Sequence, residues 1–294
     1  MKSHKKHPDR GRITTALLLA AGTGSRLLPL TKKSPKCLTM VNEISILGRL
    51  IVSLNQHGFK RLVVVTGHME NHIRNFLETQ ADKIKIEYVF SPLYKTTNNI
   101  YSLWMARKII NEPFLLIESD LVFDSSLLTD MLYPDRIAVS RMKPWLNGTT
   151  VTINKFNKVD AFHVNAMKES NNDRYKTVNI YSLSLASWYR VIEKLNQYVL
   201  KGRVNDYYEA VFQQMVAEKQ LSFQTVFFDN KQWYEIDTIE DLTVAERMFS
   251  SKFHNTFPFH IIDTDNLKNT TIHTRKTAIH TRKTILKGKI YGTS

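Results

Sequence analysis

Apolar and polar positions along this chain fall into short blocks that switch between a strand period and a helix period. Residues 13–19 are β-branched and leucine-rich, stop at Ala20-Ala21-Gly22, and are too few for a core helix, so they predict a buried strand. Residues 46–57 space their apolar positions as an amphipathic helix, and residues 61–66 form a second apolar strand. The first unit therefore reads strand, crossover, strand. The same reasoning predicts a helix over 71–80, a strand over 84–90, a helix over 100–109, and a third buried strand over 114–117 that Glu118, Ser119 and Asp120 close.

Beyond that point the pattern predicts strands over 137–141 and 178–182. A hairpin of 149–153 and 158–164 turns at residues 154–157. Helices are expected at 185–195 and 206–219, returning segments at 221–228 and 233–236, and a terminal helix at 239–249 opened by Thr238. Strands that alternate with helices argue for an α/β fold: a mostly parallel sheet flanked by helices, with a small antiparallel insertion. Active groups then collect beyond the carboxyl ends of the strands. The expected organisation is a catalytic domain over 13–250 and a basic C-terminal extension over 251–294. In that extension residues 272–277 recur as 279–284, with too little apolar material for a coiled coil.

Composition narrows the classes. With 43% hydrophobic residues, ten Gly and eight Pro among 294, the chain is neither collagenous nor low in complexity. A single cysteine, Cys37, excludes an internal disulfide and a multi-cysteine zinc site and fits a reducing compartment. The apolar run 16–21 is too short to cross a bilayer, so no membrane span and a cytoplasmic address are expected. The formal charge of +14 suggests nucleic acid until its distribution is read. Residues 1–12 carry five Lys or Arg against Asp9, and residues 264–294 carry seven against Asp265. Most of the excess sits at two polar ends, and nucleic acid is not an expected partner. His68 and His72 are four apart, but Met69 stands where a zinc-binding helix would carry its glutamate.

The chemistry begins at Ala21-Gly22-Thr23-Gly24-Ser25-Arg26-Leu27, followed by Ser34-Pro35-Lys36. Two glycines after a buried strand let the backbone approach a phosphate chain and aim N–H groups at it. Leu27 breaks the six-residue dinucleotide fingerprint, and no Gly-Lys-Ser/Thr follows for an ATPase loop. Arg26 offers a planar fork to outer phosphates and Lys36 a compact charge near a reacting phosphorus. The plainer reading is a simple turn with solvated cations.

The stretch from Leu19 through Lys36 resembles the signature of the nucleotidyltransferases, which join a nucleoside triphosphate to a small phosphorylated acceptor. The resemblance extends from about residue 14 to 249 and implies a Rossmann-like sheet. It also implies that Ala21, Gly22, Thr23 and Gly24 cradle the nucleotide, that Arg26 holds the leaving pyrophosphate, and that Lys36 contacts the α-phosphate. Transfer at a triphosphate needs charge compensation, which Mg²⁺ supplies through oxygen ligands. Asp120, at the end of an apolar strand, and Asp237, ahead of the last helix, match the family's two metal-binding carboxylates. For Asp237 a helix cap is the alternative.

Thr97-Asn98-Asn99-Ile100-Tyr101-Ser102-Leu103 resembles a segment of the choline-phosphate and aminoalkylphosphonate cytidylyltransferase branch, which implies CTP, with Asn99 and Ser102 near the base. Helix capping is the plainer role of these asparagines. Lys176-Thr177-Val178-Asn179-Ile180-Tyr181 resembles the 2-aminoethylphosphonate cytidylyltransferases and implies that Lys176 binds the acceptor phosphonate. Trp145, Glu209 and Glu235 are candidates for the acceptor's amine end. The expected reaction condenses CTP with 2-aminoethylphosphonate to give CMP-2-aminoethylphosphonate and pyrophosphate. The alternatives are phosphocholine or another small phosphate as acceptor, or a nucleotide sensor that does no chemistry. Oligomeric state is open.

Overall fold

The computed structural model describes residues 11–81, 83–143, 146–164 and 174–250. At its centre is β1 (Thr15–Ala20), all six residues of which are buried. The chain then passes through a small hairpin, β2 (Met40–Val41) and β3 (Ile44–Ser45), into α1 (Ile46–Gln56). Ser45 caps α1 by accepting from the Gly48 amide. There follow β4 (Arg61–Thr66), α2 (Glu70–Gln80), β5 (Lys85–Phe90), α3 (Asn99–Ala106), β6 (Phe114–Glu118) and β7 (Leu121–Phe123). The second half contains β8 (Arg136–Arg141), β9 (Thr150–Ile153), β10 (Val159–His163) and β11 (Tyr175–Leu183). It ends with α4 (Leu185–Leu200), α5 (Glu209–Ala217), β12 (Gln224–Phe227), β13 (Trp233–Glu235) and α6 (Ile239–Met248).

The main sheet runs β10-β9-β11-β6-β1-β4-β5, with β8 beside β11 and β12 beside β8. The β6-β1-β4-β5 portion is parallel, as the alternation of strands and helices predicts. The antiparallel part is larger than the expected hairpin insertion. The β9–β10 hairpin joins the main sheet through β11, which also runs antiparallel to β6 and β8. β11 is nine residues long where five were expected. Asn179 takes φ 57° inside it, and the register with β8 shifts between Thr177 and Tyr181, so simple alternation is broken mid-strand. β7 was not anticipated at all.

Strand alternation sends successive β1 side chains to opposite faces. Leu17 and Leu19 pack with Val63 and Val65 beneath α3, α4 and α5. Ala16, Leu18 and Ala20 pack with Leu62 and Val64 beneath α1 and α2. A third, smaller apolar group joins Leu27, Val41, Ile46, Val122, Ile236, Ala245 and Phe249, and fastens α6 below the glycine turn. Among the described residues no helix is long and apolar enough to cross a membrane. The expected basic extension lies outside the described residues.

Candidate active site

The site forms where β1, β6 and β13 end. Beyond Ala20 the chain turns through Gly24, whose φ of 63° and ψ of 32° place it in the left-handed region that glycine enters without penalty. Space imposes the same choice, because a Cβ at Gly24 would lie 3.0 Å from both Lys36 Cβ and Thr31 Cγ2. The Gly24 carbonyl accepts from Thr31 Oγ1 at 2.8 Å and from the Leu27 amide at 3.0 Å, so the turn is pinned from both sides. Across from it, Gly67 passes so close that a Cβ there would fall 2.7 Å from the Ala21 carbonyl oxygen and from Tyr94 Cγ. Gly67 thereby lets Tyr94 reach the cavity wall, and nothing in the hydropathy pattern marks it.

Asp120 and Asp237 are 117 positions apart in sequence and are brought together by a two-stranded ladder. β13 pairs antiparallel with β7, setting Glu235 opposite Leu121, and the Ile236 amide donates to the Asp120 carbonyl at 2.9 Å. The cap of α6 is made by Thr238 and Asp241, which bond each other's backbone reciprocally, so the Asp237 carboxylate is not consumed by capping. It faces Lys36 instead. Lys36 Nζ donates to Asp120 Oδ2 at 2.9 Å and to Asp237 Oδ1 at 2.6 Å, and Arg26 Nη2 reaches the same Asp237 oxygen at 2.7 Å. Burial alone would lower the Lys36 ammonium; the two carboxylates outweigh it and hold Lys36 above its ordinary value.

These residues fit a magnesium ion. One ammonium touches both carboxylates, so their oxygens are close enough for one cation to touch both. Asp120 Oδ1 is buried with no hydrogen-bond partner among the described residues, an arrangement that is costly unless a cation completes it. Among the described residues no group of three or more His, Cys, Asp or Glu side chains is gathered for a metal. Two carboxylates with the rest of the shell left to phosphate and water suit Mg²⁺.

A second charged cluster adjoins the first. Lys176 is 3% exposed; its Nζ donates to the Thr177 carbonyl at 2.8 Å and lies 3.3 Å from Glu235 Oε2. Asn179, at its bulge, donates to Glu235 Oε1 at 3.3 Å. Burial raises Glu235, against the field of Lys176, and Asp120 and Asp237 raise it further. Glu209, at the start of α5, is 4% exposed with Oε2 unpartnered among the described residues. Burial pushes it up to about 7 despite Lys176 nearby.

Glu118 is one residue that sequence reasoning missed. Its Oε1 accepts from Tyr208 Oη at 2.8 Å and from Asn99 Nδ2 at 3.2 Å, while Asn99 Oδ1 accepts from the Tyr208 amide at 3.0 Å. Burial, then Asp120, Glu209 and Glu235, hold Glu118 well above the usual carboxylate range. Asn99 thus ties β6 to the start of α5, and Asn98 supplies the cap of α3 by accepting from the Asn99 amide at 2.8 Å.

The cavity enclosed by these groups measures about 260 Å³. Ala21, Gly22, Gly24, Arg26, Lys36, Asn99, Ser102, Asp120 and Asp237 all line it, joined by Tyr94, Glu118 and Tyr207, which were not anticipated. Thr23 is exposed and lies outside the lining, as do Lys176, Glu209 and Glu235, which sit in the adjoining cluster, the first two buried and Glu235 partly so. Trp145 lies outside the described residues.

Comparison with known proteins bears on this geometry. The family described as nucleotidyl transferase matches residues 15–142. The chain is 28% identical over 242 residues to the CMP-5'-(3-aminopropyl)phosphonate synthase of Streptomyces rubellomurinus, a match covering 80% of this chain but only 38% of that protein. It is 26% identical over 261 residues to the CTP:phosphoglutamine cytidylyltransferase of Campylobacter jejuni, covering 78% of this chain and 98% of that one. The structure of the CTP:phosphocholine cytidylyltransferase from Streptococcus pneumoniae superposes with a TM-score of 0.70 at 20% identity, over 80% of this chain and 98% of that chain, a likeness of fold. The family match takes in the glycine turn, Lys36 and Asp120, so over that stretch the chain is similar to the nucleotidyl transferases.

Proposed function

We propose that the protein is a Mg²⁺-dependent cytidylyltransferase that condenses CTP with 2-aminoethylphosphonate, giving CMP-2-aminoethylphosphonate and pyrophosphate. The observation that carries this reading is the meeting of Lys36, Asp120 and Asp237 beside the glycine turn. Two relatives matched over about four-fifths of this chain are named for a cytidylyl product or for CTP itself, which supports cytosine as the base.

In this reading the triphosphate lies along Ala21–Gly24, with backbone amides and Arg26 on its outer phosphates and Lys36 at the α-phosphorus. A phosphonate oxygen attacks that phosphorus in line and pyrophosphate leaves on the Arg26 side. Magnesium, held by Asp120 and Asp237, supplies charge compensation at the phosphate oxygens when bound. No covalent intermediate with the protein is needed, since positioning and preorganised charge can provide the rate.

The Lys176–Glu235 ion pair supports an acceptor that carries both charges. A zwitterion can replace the pair by two pairs of its own, its phosphonate on Lys176 and its ammonium on Glu235 and Glu209. An acceptor with no ammonium would pull Lys176 away and leave the partly buried Glu235 without its cation, which is unfavourable.

The test is an acceptor panel with CTP and Mg²⁺: 2-aminoethylphosphonate, phosphocholine, phosphoethanolamine and a sugar phosphate, read by pyrophosphate release and by the mass of the CMP conjugate. The expected result is fastest turnover with 2-aminoethylphosphonate. A faster phosphocholine reaction would reassign the acceptor, and CTP binding without pyrophosphate release from any acceptor would make the protein a sensor.

A further inference from the structure

Lys36 stands between the two carboxylates that a shared metal would use, holding one oxygen of each and leaving Asp120 Oδ1 without a partner among the described residues. Its ammonium is within hydrogen-bond distance of one oxygen from each carboxylate, at 2.9 and 2.6 Å. Arg26 occupies the same Asp237 oxygen at 2.7 Å. A magnesium ion sits about 2.1 Å from its ligands, so it and the ammonium cannot both bridge Asp120 Oδ2 and Asp237 Oδ1, and an ion that takes the unpartnered Asp120 Oδ1 instead still lies close beside the ammonium, where the two cations repel. We propose that Lys36 is a placeholder cation: it holds Asp120 and Asp237 together and keeps a divalent cation off them until a triphosphate draws the ammonium away, so that metal and nucleotide bind cooperatively.

The argument is one of charge and burial. The Lys36 side chain is only 14% exposed. A metal arriving alone must eject an ammonium from two carboxylates in a poorly solvated place and leave it without an anion, which is expensive. A triphosphate removes that cost, because its oxygens accept the ammonium and complete the metal's shell at once. Reciprocity follows: whatever the nucleotide adds to metal affinity, the metal adds to nucleotide affinity. The inference rests on the transferase reading for the identity of the triphosphate, but its test needs neither an acceptor nor turnover.

Two measurements on the full chain without nucleotide decide it. The first follows acetylation of individual lysines by mass spectrometry as Mg²⁺ is added, with Lys85, whose side chain is 72% exposed, as the internal reference. Lys36 should react slowly in the absence of metal and about tenfold faster once Mg²⁺ saturates, while Lys85 is unchanged. The second titrates Mn²⁺ by electron paramagnetic resonance: Lys36→Met should bind it about tenfold more tightly than the wild type. In that variant the further tightening produced by CTP should shrink. Asp120→Asn should lose the Mn²⁺ site and the Mg²⁺-dependent change in labelling together. Wild-type protein that binds Mn²⁺ alone as tightly as Lys36→Met, metal-saturated protein in which Lys36 stays protected, or an Asp120→Asn variant with the Mn²⁺ site intact would each overturn the proposal. A failed acceptor panel would leave these results standing.

Discussion

The Ile236 amide donates to the Asp120 carbonyl at 2.9 Å, and through this bond the strand that leads to Asp237 is sewn to the strand end that carries Asp120. The Ile236 side chain is fully buried with Leu27, Val122 and Phe249, so the apolar group beneath the site also sets the separation of its two carboxylates.

Ile236→Ala should therefore act on stability and catalysis together. Deleting a fully buried isoleucine side chain costs about 2–5 kcal/mol. The loosened β13 end should also lower kcat by roughly 10–100-fold, because small misplacements at a reacting centre are expensive. Denaturant unfolding and steady-state kinetics on the same sample check both; a destabilised variant with full kcat would mean that the apolar group beneath the site does not position Asp237.

Lys36→Ala removes a cation that both carboxylates share. The fold should persist, because the residue lies on the rim of the sheet and not in the apolar layers, while turnover at saturating substrates should fall by about 10²–10³-fold. Circular dichroism and pyrophosphate release separate the two effects. Near-normal turnover would remove Lys36 from the centre of the mechanism.

Gly24→Ala tests the turn. The new Cβ carries a left-handed backbone cost of roughly 1–2 kcal/mol and meets Lys36 Cβ and Thr31 Cγ2 at 3.0 Å. Of these neighbours the lysine stem yields more easily, so the expected outcome is a displaced Lys36, reduced kcat and a small loss of stability, read by kinetics and thermal unfolding.

What could be read in the sequence follows from how far each signal reaches along the chain. β1, β4 and β6 are buried on both faces, and such strands announce themselves as continuous apolar runs bounded by breakers. β7 escaped because Leu121–Phe123 is three residues long and gains its identity only from β13, more than a hundred positions later. β11 was read short because Asn179, with its positive φ, interrupts the alternation. Lys36 and Asp120 could be picked out locally, Lys36 because it follows Pro35 and Asp120 because it closes an apolar strand. The Glu118 network was not: its partners Asn99 and Tyr208 lie 19 and 90 positions away, and a carboxylate next to Asp120 reads as one more polar residue of a loop.

Asn99 lines the cavity, yet both ends of its amide are engaged by Glu118 and Tyr208. Asn99→Ala should accordingly lose about 1–3 kcal/mol of stability and free the start of α5. If the residue positions Glu118 and Tyr208 instead of reading the base, the preference for CTP over UTP should survive the substitution even as both affinities weaken. Competitive binding of the two nucleotides to the variant measures this, and a collapse of the preference would restore a direct base contact.

Glu209 gives the protein a pH dependence whose sign is fixed. In the unfolded chain its carboxyl titrates near the ordinary 4.5, whereas burial in the folded protein pushes it up to about 7, with Lys176 opposing and Glu235 and Asp120 adding to the rise. Below about 4.5 both states hold the proton and this group takes nothing from stability. Between about 4.5 and about 7 the unfolded chain releases its proton first, so stability falls as pH rises, and above about 7 the loss is complete. Glu209→Gln keeps the shape and has no proton to lose. The variant should flatten this decline and exceed the wild type at pH 8 by on the order of 2–3 kcal/mol in urea unfolding, the two converging towards pH 4. A wild type whose stability rises from pH 5 to pH 8 while that of Glu209→Gln rises in parallel would show that Glu209 is ionised in the fold, with a partner for its Oε2.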